Sequence, residues 1–291
     1  MTLAIATGYG LSDARADCPR FAEDSNKYSR GKLVVAGGSR RYPGAPLLAG
    51  CAGLYAGAGL VVVCVPSSAE ILSTIPKSLI LRRIDSSPEA GVFSGGSIAP
   101  WKNELAKAKA IVLGPGMDSR PELDGFLAEA LAVPLPKVVD ADALNRIAGC
   151  PALLPSRNLC GTMVLTPHEG EAARLEHAFG IPSGGASREE RAAALSRATG
   201  CVVLLKGAGT LVAEPGGSLT VNTSGNPRLA TAGTGDVLSG VIGALLANGL
   251  AAPAAARLGA FLHGLAADRT ECFIADDLPR AVAKIIATEL Y

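Results

Sequence analysis

The sequence predicts an α/β fold whose mainly parallel sheet is covered on both faces. Short apolar runs recur, each closed by glycine, proline or aspartate: "KLVVAGGS" (32–39), "LVVVCVP" (60–66), "AIVLGPG" (110–116), "KVVDAD" (137–142), "MVLTPHEGE" (163–171) and "CVVLLKGAGT" (201–210). Alanine- and leucine-rich segments with helical spacing lie between most of them, such as "PELDGFLAEALA" (121–132) and "SREERAAALSRATG" (187–200). The runs are apolar at successive rather than alternate positions, which marks strands buried on both faces. In such a sheet, ligand chemistry gathers where the strands end.

Taken in order, the first thirty residues carry the weakest pattern and read as a leading helix or arm over 1–26, ahead of one domain over 27–291. "GGSRRYPGAPLLAG" (37–50) is a glycine-rich loop opening a helix, and "LGPGM" (113–117) lets the backbone approach a neighbour closely. "VVDADALN" places Asp140, Asp142 and Asn145 at a strand end, where carboxylates can orient water, metal or a ligand hydroxyl. After residue 210, "LVAEPGGSLTVNTSGNP" alternates with period two between glycine turns, the pattern of a hairpin or meander. Helices follow at about 235–248, 253–269 and 277–290.

A formal net charge of +1 without runs of like charge gives no footprint for nucleic acid or an anionic membrane, so a small-molecule partner is expected. The seven cysteines are scattered singly, with no CxxC pair or metal-ligand spacing, and read as free thiols in a reducing cytoplasm. The N-terminus lacks the basic start of a signal peptide. Two long uncharged stretches, 44–69 and 237–256, are broken by proline, glycine or a separate strand and read as buried elements instead of membrane spans. His263, on an apolar helix, reads as a packed core histidine.

The chemistry-bearing motifs sit at strand ends and one helix mouth. In "ATAGTGDVLSG" (230–240), Gly233 and Gly235 let amides approach an anion, Thr234 is suited to cap the helix, and Asp236 falls in its first turn. A helix N-terminus offers unpaired N–H groups and a partial positive charge to a phosphoryl group. Asp236 there either caps the helix or takes a proton from a hydroxyl being phosphorylated. "KGAGT", Lys206 to Thr210, suits backbone and hydroxyl contacts to nucleotide phosphates, although it is not a P-loop. "LTPHEGE" gathers His168, Glu169 and Glu171, which serve either a helix dipole or a magnesium ion held through water.

Together, "KYSRGKLVVAGGSRRYPGAPLLAG", "VLGPGM", "VVDADALN", "LTPHEGEAARL", "LLKGAGTLVA" and "GNPRLATAGTGDVLSGVIGALLANG" resemble, in order, the ADP- or ATP-dependent NAD(P)H-hydrate dehydratases of the ribokinase-like superfamily. The resemblance runs from about residue 27 to the C-terminus. It implies a three-layer α/β/α fold and repair of hydrated NADH or NADPH: ADP, or ATP in eukaryotes, phosphorylates the hydrate hydroxyl, and phosphate then leaves. It assigns Ala45, Gly116, His168 and Asp236 to the hydrate, and Lys206, Gly207, Ala208, Gly209, Thr210 and Gly235 to the nucleotide. It makes Asp236 the base and the amides around Gly233 to Gly235 the anion hole, with Glu171 binding Mg²⁺ through water. It further implies a tetramer and, with so few residues before the first motif, an epimerase on a separate chain. Arg228 stands where the family commonly has glycine.

Two rivals remain at this level. A vitamin-precursor kinase of the same fold is expected to carry Asn instead of His168 and to release a stable phosphorylated product. A non-catalytic nucleotide-binding regulator is expected to lose the aspartate or glycines of "GTGD", all present here.

Overall fold

The structure is a computed structural model describing residues 6–291 apart from 72–74, 87–88, 90, 183 and 271–273. Ten strands form one sheet: β1 (Thr7–Tyr9), β2 (Lys32–Ala36), β3 (Leu60–Pro66), β4 (Ile80–Ile84), β5 (Ala108–Leu113), β6 (Lys137–Val139), β7 (Met163–Leu165), β8 (Val202–Leu205), β9 (Leu211–Ala213) and β10 (Leu219–Asn222). Their order is β1-β10-β9-β8-β7-β6-β5-β2-β3-β4. All neighbours from β8 to β4 are parallel, while β9 is antiparallel to both β8 and β10. The meander expected after residue 210 is thus β9 and β10.

Eleven helices are described: α1 (Leu11–Asp17), α2 (Ala45–Tyr55), α3 (Ile98–Glu104), α4 (Asp124–Ala132), α5 (Ala141–Gly149), α6 (Arg157–Cys160), α7 (Glu169–Ala178), α8 (Arg188–Thr199), α9 (Thr234–Ala247), α10 (Ala252–Arg269) and α11 (Leu278–Ile285). Alternate strand residues divide the core between the two sheet faces. Leu33, Val35, Val112 and Leu204 pack with α2, α9, α10 and α11, whereas Val34, Ile111, Leu113 and Leu205 pack with α4, α5, α7 and α8. Because both faces are covered, every residue of β2, β6, β7 and β8 is buried, which accounts for sequences that are apolar throughout apart from the opening Lys32 and Lys137.

Two strands escaped the sequence pattern. β4 reads "ILRRI" because it is an edge strand, with Arg82 and Arg83 exposed, and charge on an edge blocks pairing with another sheet. The leading segment holds β1, parallel to β10, and α1. It is tied to the other end of the chain: Arg15 Nε donates to the Glu289 carbonyl at 2.7 Å and Arg20 Nη2 to that of Leu290 at 2.8 Å. Six cysteines are free thiols, and Cys272 lies outside the described residues. No described helix is long and apolar enough to cross a membrane.

The strand order reverses between β5 and β2, with β3 and β4 laid outward on one side and β6 to β8 on the other. Such a reversal parts the loops that follow the two central strands and opens a crevice at their carboxyl ends. The mouth of α9 is held there by close packing on α2. A Cβ added at Gly240 falls 2.0 Å from the Ala49 carbonyl oxygen, so only glycine lets these helices approach so nearly. Gly240→Ala is therefore expected to lower unfolding free energy by about 1–3 kcal/mol. Urea denaturation checks this, and unchanged stability would show that the two helices part without cost.

Candidate active site

Gly233 caps α9 from the left-handed region (φ +89°), where a side chain is disfavoured and where its Cβ would meet Leu48 Cδ1 at 2.7 Å. Thr234 is the first helical residue and not the cap expected of it. Its hydroxyl donates back to the Leu229 and Thr231 carbonyls at 2.8 and 2.9 Å, fastening the preceding turn to the helix. The Val237 amide returns to Gly233 O at 3.2 Å, while those of Gly235 and Asp236 have no backbone acceptor among the described residues. Two open N–H groups at the positive end of a fourteen-residue helix make an anion seat.

Behind that seat lies a buried charge cluster. Lys206, at the end of β8, places Nζ 2.9 Å from Asp140 Oδ1 and 3.8 Å from Glu171 Oε2. The other Asp140 oxygen accepts from the Ser239 hydroxyl at 2.7 Å, one turn along α9 from Asp236. An added Cβ on Gly235 would lie 3.5 Å from Lys206 Nζ, so the ammonium sits directly beneath the helix mouth. Burial works against the Lys206 charge, but Asp140 and Glu171 outweigh it and its pKa is raised. Glu171 is raised by burial, with Lys206 pulling the other way. Asp236 is half-buried, and its carboxyl is pushed up to about 8, by burial first and the Asp140 charge second, against the pull of Lys206.

His168 serves as the cap of α7. Its Nδ1 accepts from the Gly170 and Glu171 amides at 3.0 and 3.3 Å, and the Glu171 carboxylate accepts from the His168 amide at 2.9 Å. An unprotonated Nδ1 puts the proton of the neutral ring on Nε2, which lies 3.4 Å from Glu171 Oε1. Both Glu171 oxygens are therefore engaged, and a lysine stands beside one of them. No group of three or more His, Cys, Asp or Glu among the described residues has the arrangement to hold a metal ion. These residues do not fit a resident, directly ligated Mg²⁺, which prefers several oxygen ligands free to meet octahedral geometry.

The remaining candidates fall on the same rim. A Cβ on Gly116 would stand 2.6 Å from Tyr42 O and 3.0 Å from Ala45 Cβ, so the loops carrying Gly116 and Ala45 touch. Asp142 accepts from the Asp118 amide and the Ser119 hydroxyl, both at 2.8 Å, and so secures the loop after β5. Arg228 reaches the Thr270 carbonyl oxygen at the end of α10. His263 is buried, and that burial depresses its pKa to about 4, leaving it neutral in the core.

A family model described as NAD(P)H-hydrate dehydratase matches residues 33–287. The chain belongs to that family. A Neisseria meningitidis protein named ADP-dependent (S)-NAD(P)H-hydrate dehydratase is 40% identical over 250 residues, covering 85% of this chain and 79% of its own. A bifunctional NAD(P)H-hydrate repair enzyme of Moorella thermoacetica is 40% identical over 258 residues, covering 87% of this chain; the chain spans about half, 48%, of that relative's length. Among solved structures, a ribokinase-like superfamily protein of Enterococcus faecalis has TM-score 0.81 at 22% identity, covering 99% of both chains. The ADP/ATP-dependent NAD(P)H-hydrate dehydratase of Bacillus subtilis, co-crystallised with ATP/Mg²⁺, has TM-score 0.73 at 24% identity, covering 98% of this chain and 99% of its own. The fold is ribokinase-like.

Within this dehydratase-family fold, the structure brings Asp236, Gly235, Lys206 and Glu171 together, with His168 beside Glu171. Sequence reasoning missed Ser239 and the pairing of Asp140 with Lys206. Ser239 lies three residues after Asp236 on the same helical face, a spacing that signals a shared neighbour. The Lys206 ammonium, expected to face phosphate, also donates to Asp140.

The raised Asp236 pKa has a consequence for stability. The folded protein binds this proton more tightly than the unfolded chain, so the stabilisation is full below the ordinary carboxylate range and is lost as pH rises through about 8. Asp236→Asn, which never ionises, is expected to gain stability over the parent across that window and to hold a constant gain above it. Melting temperatures of both proteins from pH 5 to pH 9 read this out, and parallel curves would exclude it.

Proposed function

We propose that this chain dehydrates (S)-NADH or (S)-NADPH hydrate, using ADP as phosphoryl donor and yielding the reduced dinucleotide, AMP and phosphate. The reading is carried by one juxtaposition: a half-buried carboxyl, two open helix amides and a buried ammonium around one point, at the strand ends of a ribokinase-like sheet. The Neisseria relative's name supplies ADP, and the Bacillus neighbour was crystallised with ATP and Mg²⁺.

Asp236 takes the proton of the ring hydroxyl as its oxygen attacks the terminal phosphorus of the nucleotide, and AMP departs. The amides of Gly235 and Asp236 receive the charge that builds on the transferring phosphoryl oxygens, with Lys206 behind them. Phosphate then leaves the ring carbon, and loss of a neighbouring ring proton restores the double bond. The conversion matters because hydroxide is a poor leaving group and phosphate a good one. The loops of Ala45 and Gly116 and the exposed face of His168 hold the hydrate, while Gly207 to Thr210 hold the nucleotide. A divalent cation would arrive with the phosphates and be held chiefly by them and by water, with Glu171 in its outer shell. On this reading the enzyme works in the cytoplasm as a homotetramer.

Recovery of the near-ultraviolet absorbance of reduced nicotinamide from NADH hydrate tests the reading, with ADP and ATP compared. Asp236→Asn is expected to lower kcat by ~10²–10⁴. Since the base acts only when ionised, kcat/KM of the parent is expected to rise with pH and level off above about 8. No recovery with either nucleotide, or a stable phosphorylated product, would overturn the proposal in favour of a kinase.

A further inference from the structure

The loop 206–210 follows β8 with three of its carbonyl oxygens, those of Lys206, Ala208 and Gly209, collected by one side chain. The Arg188 guanidinium, from the first position of α8, donates from Nη1 to Ala208 O at 2.6 Å and Gly209 O at 3.3 Å. From Nη2 it reaches Lys206 O at 3.3 Å and Leu205 O at 3.5 Å. Of the two carbonyls left over, that of Gly207 accepts from the Thr210 hydroxyl at 3.0 Å and that of Thr210 from the Asn222 amide at 2.8 Å. Within a trans peptide the C=O of one residue and the N–H of the next point in opposite directions, so gathering the carbonyls of Lys206, Ala208 and Gly209 on one side turns the amides of Gly207, Gly209 and Thr210 to the other. The amides of Gly207, Ala208, Gly209 and Thr210 have no backbone acceptor among the described residues, and residues 207–209 are exposed.

The guanidinium is itself fixed. Its Nε donates to Glu169 Oε1 at 2.7 Å, and the second Glu169 oxygen accepts from Arg191 Nη1, also at 2.7 Å. Arg191 in turn bonds the buried Glu176 at 2.8 Å. Glu169 follows the capping His168 directly, so Arg188 ties the loop after β8 to the mouth of α7. Gly207 is adapted to this clamp: a Cβ there would lie 2.7 Å from Arg188 Nη2.

We infer that Arg188 is a positioning residue that holds the loop 206–210 with its amides outward as a seat for the nucleotide's phosphates. The inference rests on the nucleotide assignment made above, and needs the planar fork of arginine, because lysine is a point donor that cannot span four carbonyls.

Calorimetric titration of MgADP into the parent, Arg188→Ala and Arg188→Lys, alongside hydrate turnover, tests it. Arg188→Ala is expected to weaken ADP binding about tenfold or more, with Arg188→Lys restoring only part of it. The KM for hydrate is expected to move less than about twofold in both, and millimolar guanidinium ion to recover ADP affinity in Arg188→Ala alone. Parental ADP affinity in Arg188→Lys, or equal losses for ADP and hydrate, would overturn the inference, the latter by showing a merely structural role. Should Arg188→Ala fail to fold, the lysine variant still decides. Parental protein that binds ADP without dehydrating the hydrate would sink the proposed activity while leaving this inference standing; failure to bind ADP would sink the inference.

Discussion

The Lys206 ammonium is the charge on which the arrangement of the site depends. Asp140 is 1% exposed, and burying a lone carboxylate costs several kcal/mol, so the chain can place it under the helix mouth only beside a cation. Lys206 supplies that cation from the next strand but one, and Ser239 satisfies the other oxygen from α9. The ion pair thus joins the ends of β6 and β8, and the Ser239 bond ties α9 to both. Breaking such a pair on one side typically costs about 3–5 kcal/mol, because the remaining charge is left buried. The pair thereby fixes the register of α9 against the ends of β6 and β8.

A second constraint acts at the backbone. Asp140 is followed by Ala141 at φ +50°, a left-handed conformation that a residue with a Cβ adopts at a cost of about 1–2 kcal/mol. The strain sits at the turn from β6 into α5, where the chain must aim the Asp140 carboxylate inward and then reverse into a helix. On the opposite side, α2 and α9 approach closely through Gly240. Two forces therefore meet at the site: charge fixes the strand ends, and the helix mouth is positioned by steric contact with α2 together with the Ser239 bond to Asp140.

These two forces differ in how far they can be read from sequence. β2, β3, β5, β6, β7 and β8 announce themselves because burial on both faces leaves unbroken apolar runs, and the motifs at their ends follow from that pattern. β4 does not, since Arg82 and Arg83 serve an edge; nor does β1, whose three residues owe their strand form to pairing with β10. Asp236 and the glycines before it stand out through local helix-start chemistry. The Asp140, Lys206 and Ser239 contacts join positions up to 99 residues apart and carry no local signature. His168 is a different case: the strand-end motif marks it, and where Asn is expected of a kinase of this fold, its Nδ1 takes the capping bonds that an Asn side-chain oxygen would.

Charge balance within the site bears on how a nucleotide could enter it. One ammonium faces three carboxyl groups, those of Asp140, Glu171 and Asp236, and Arg188 spends its donors on carbonyl oxygens and Glu169. A bare diphosphate would add negative charge to a cluster that already keeps Asp236 from ionising. The proton on Asp236 relieves this in the resting protein, but a base must lose it. On the proposed reading, the nucleotide's own divalent counter-ion resolves the conflict, since positive charge arriving with the phosphates offsets theirs and favours the ionised Asp236. The protein therefore has no need of a preformed metal cage, in keeping with Glu171 being committed to His168 and Lys206. Base activation is then coupled to nucleotide binding, so that a hydroxyl is deprotonated only when a phosphoryl group is in place to receive it.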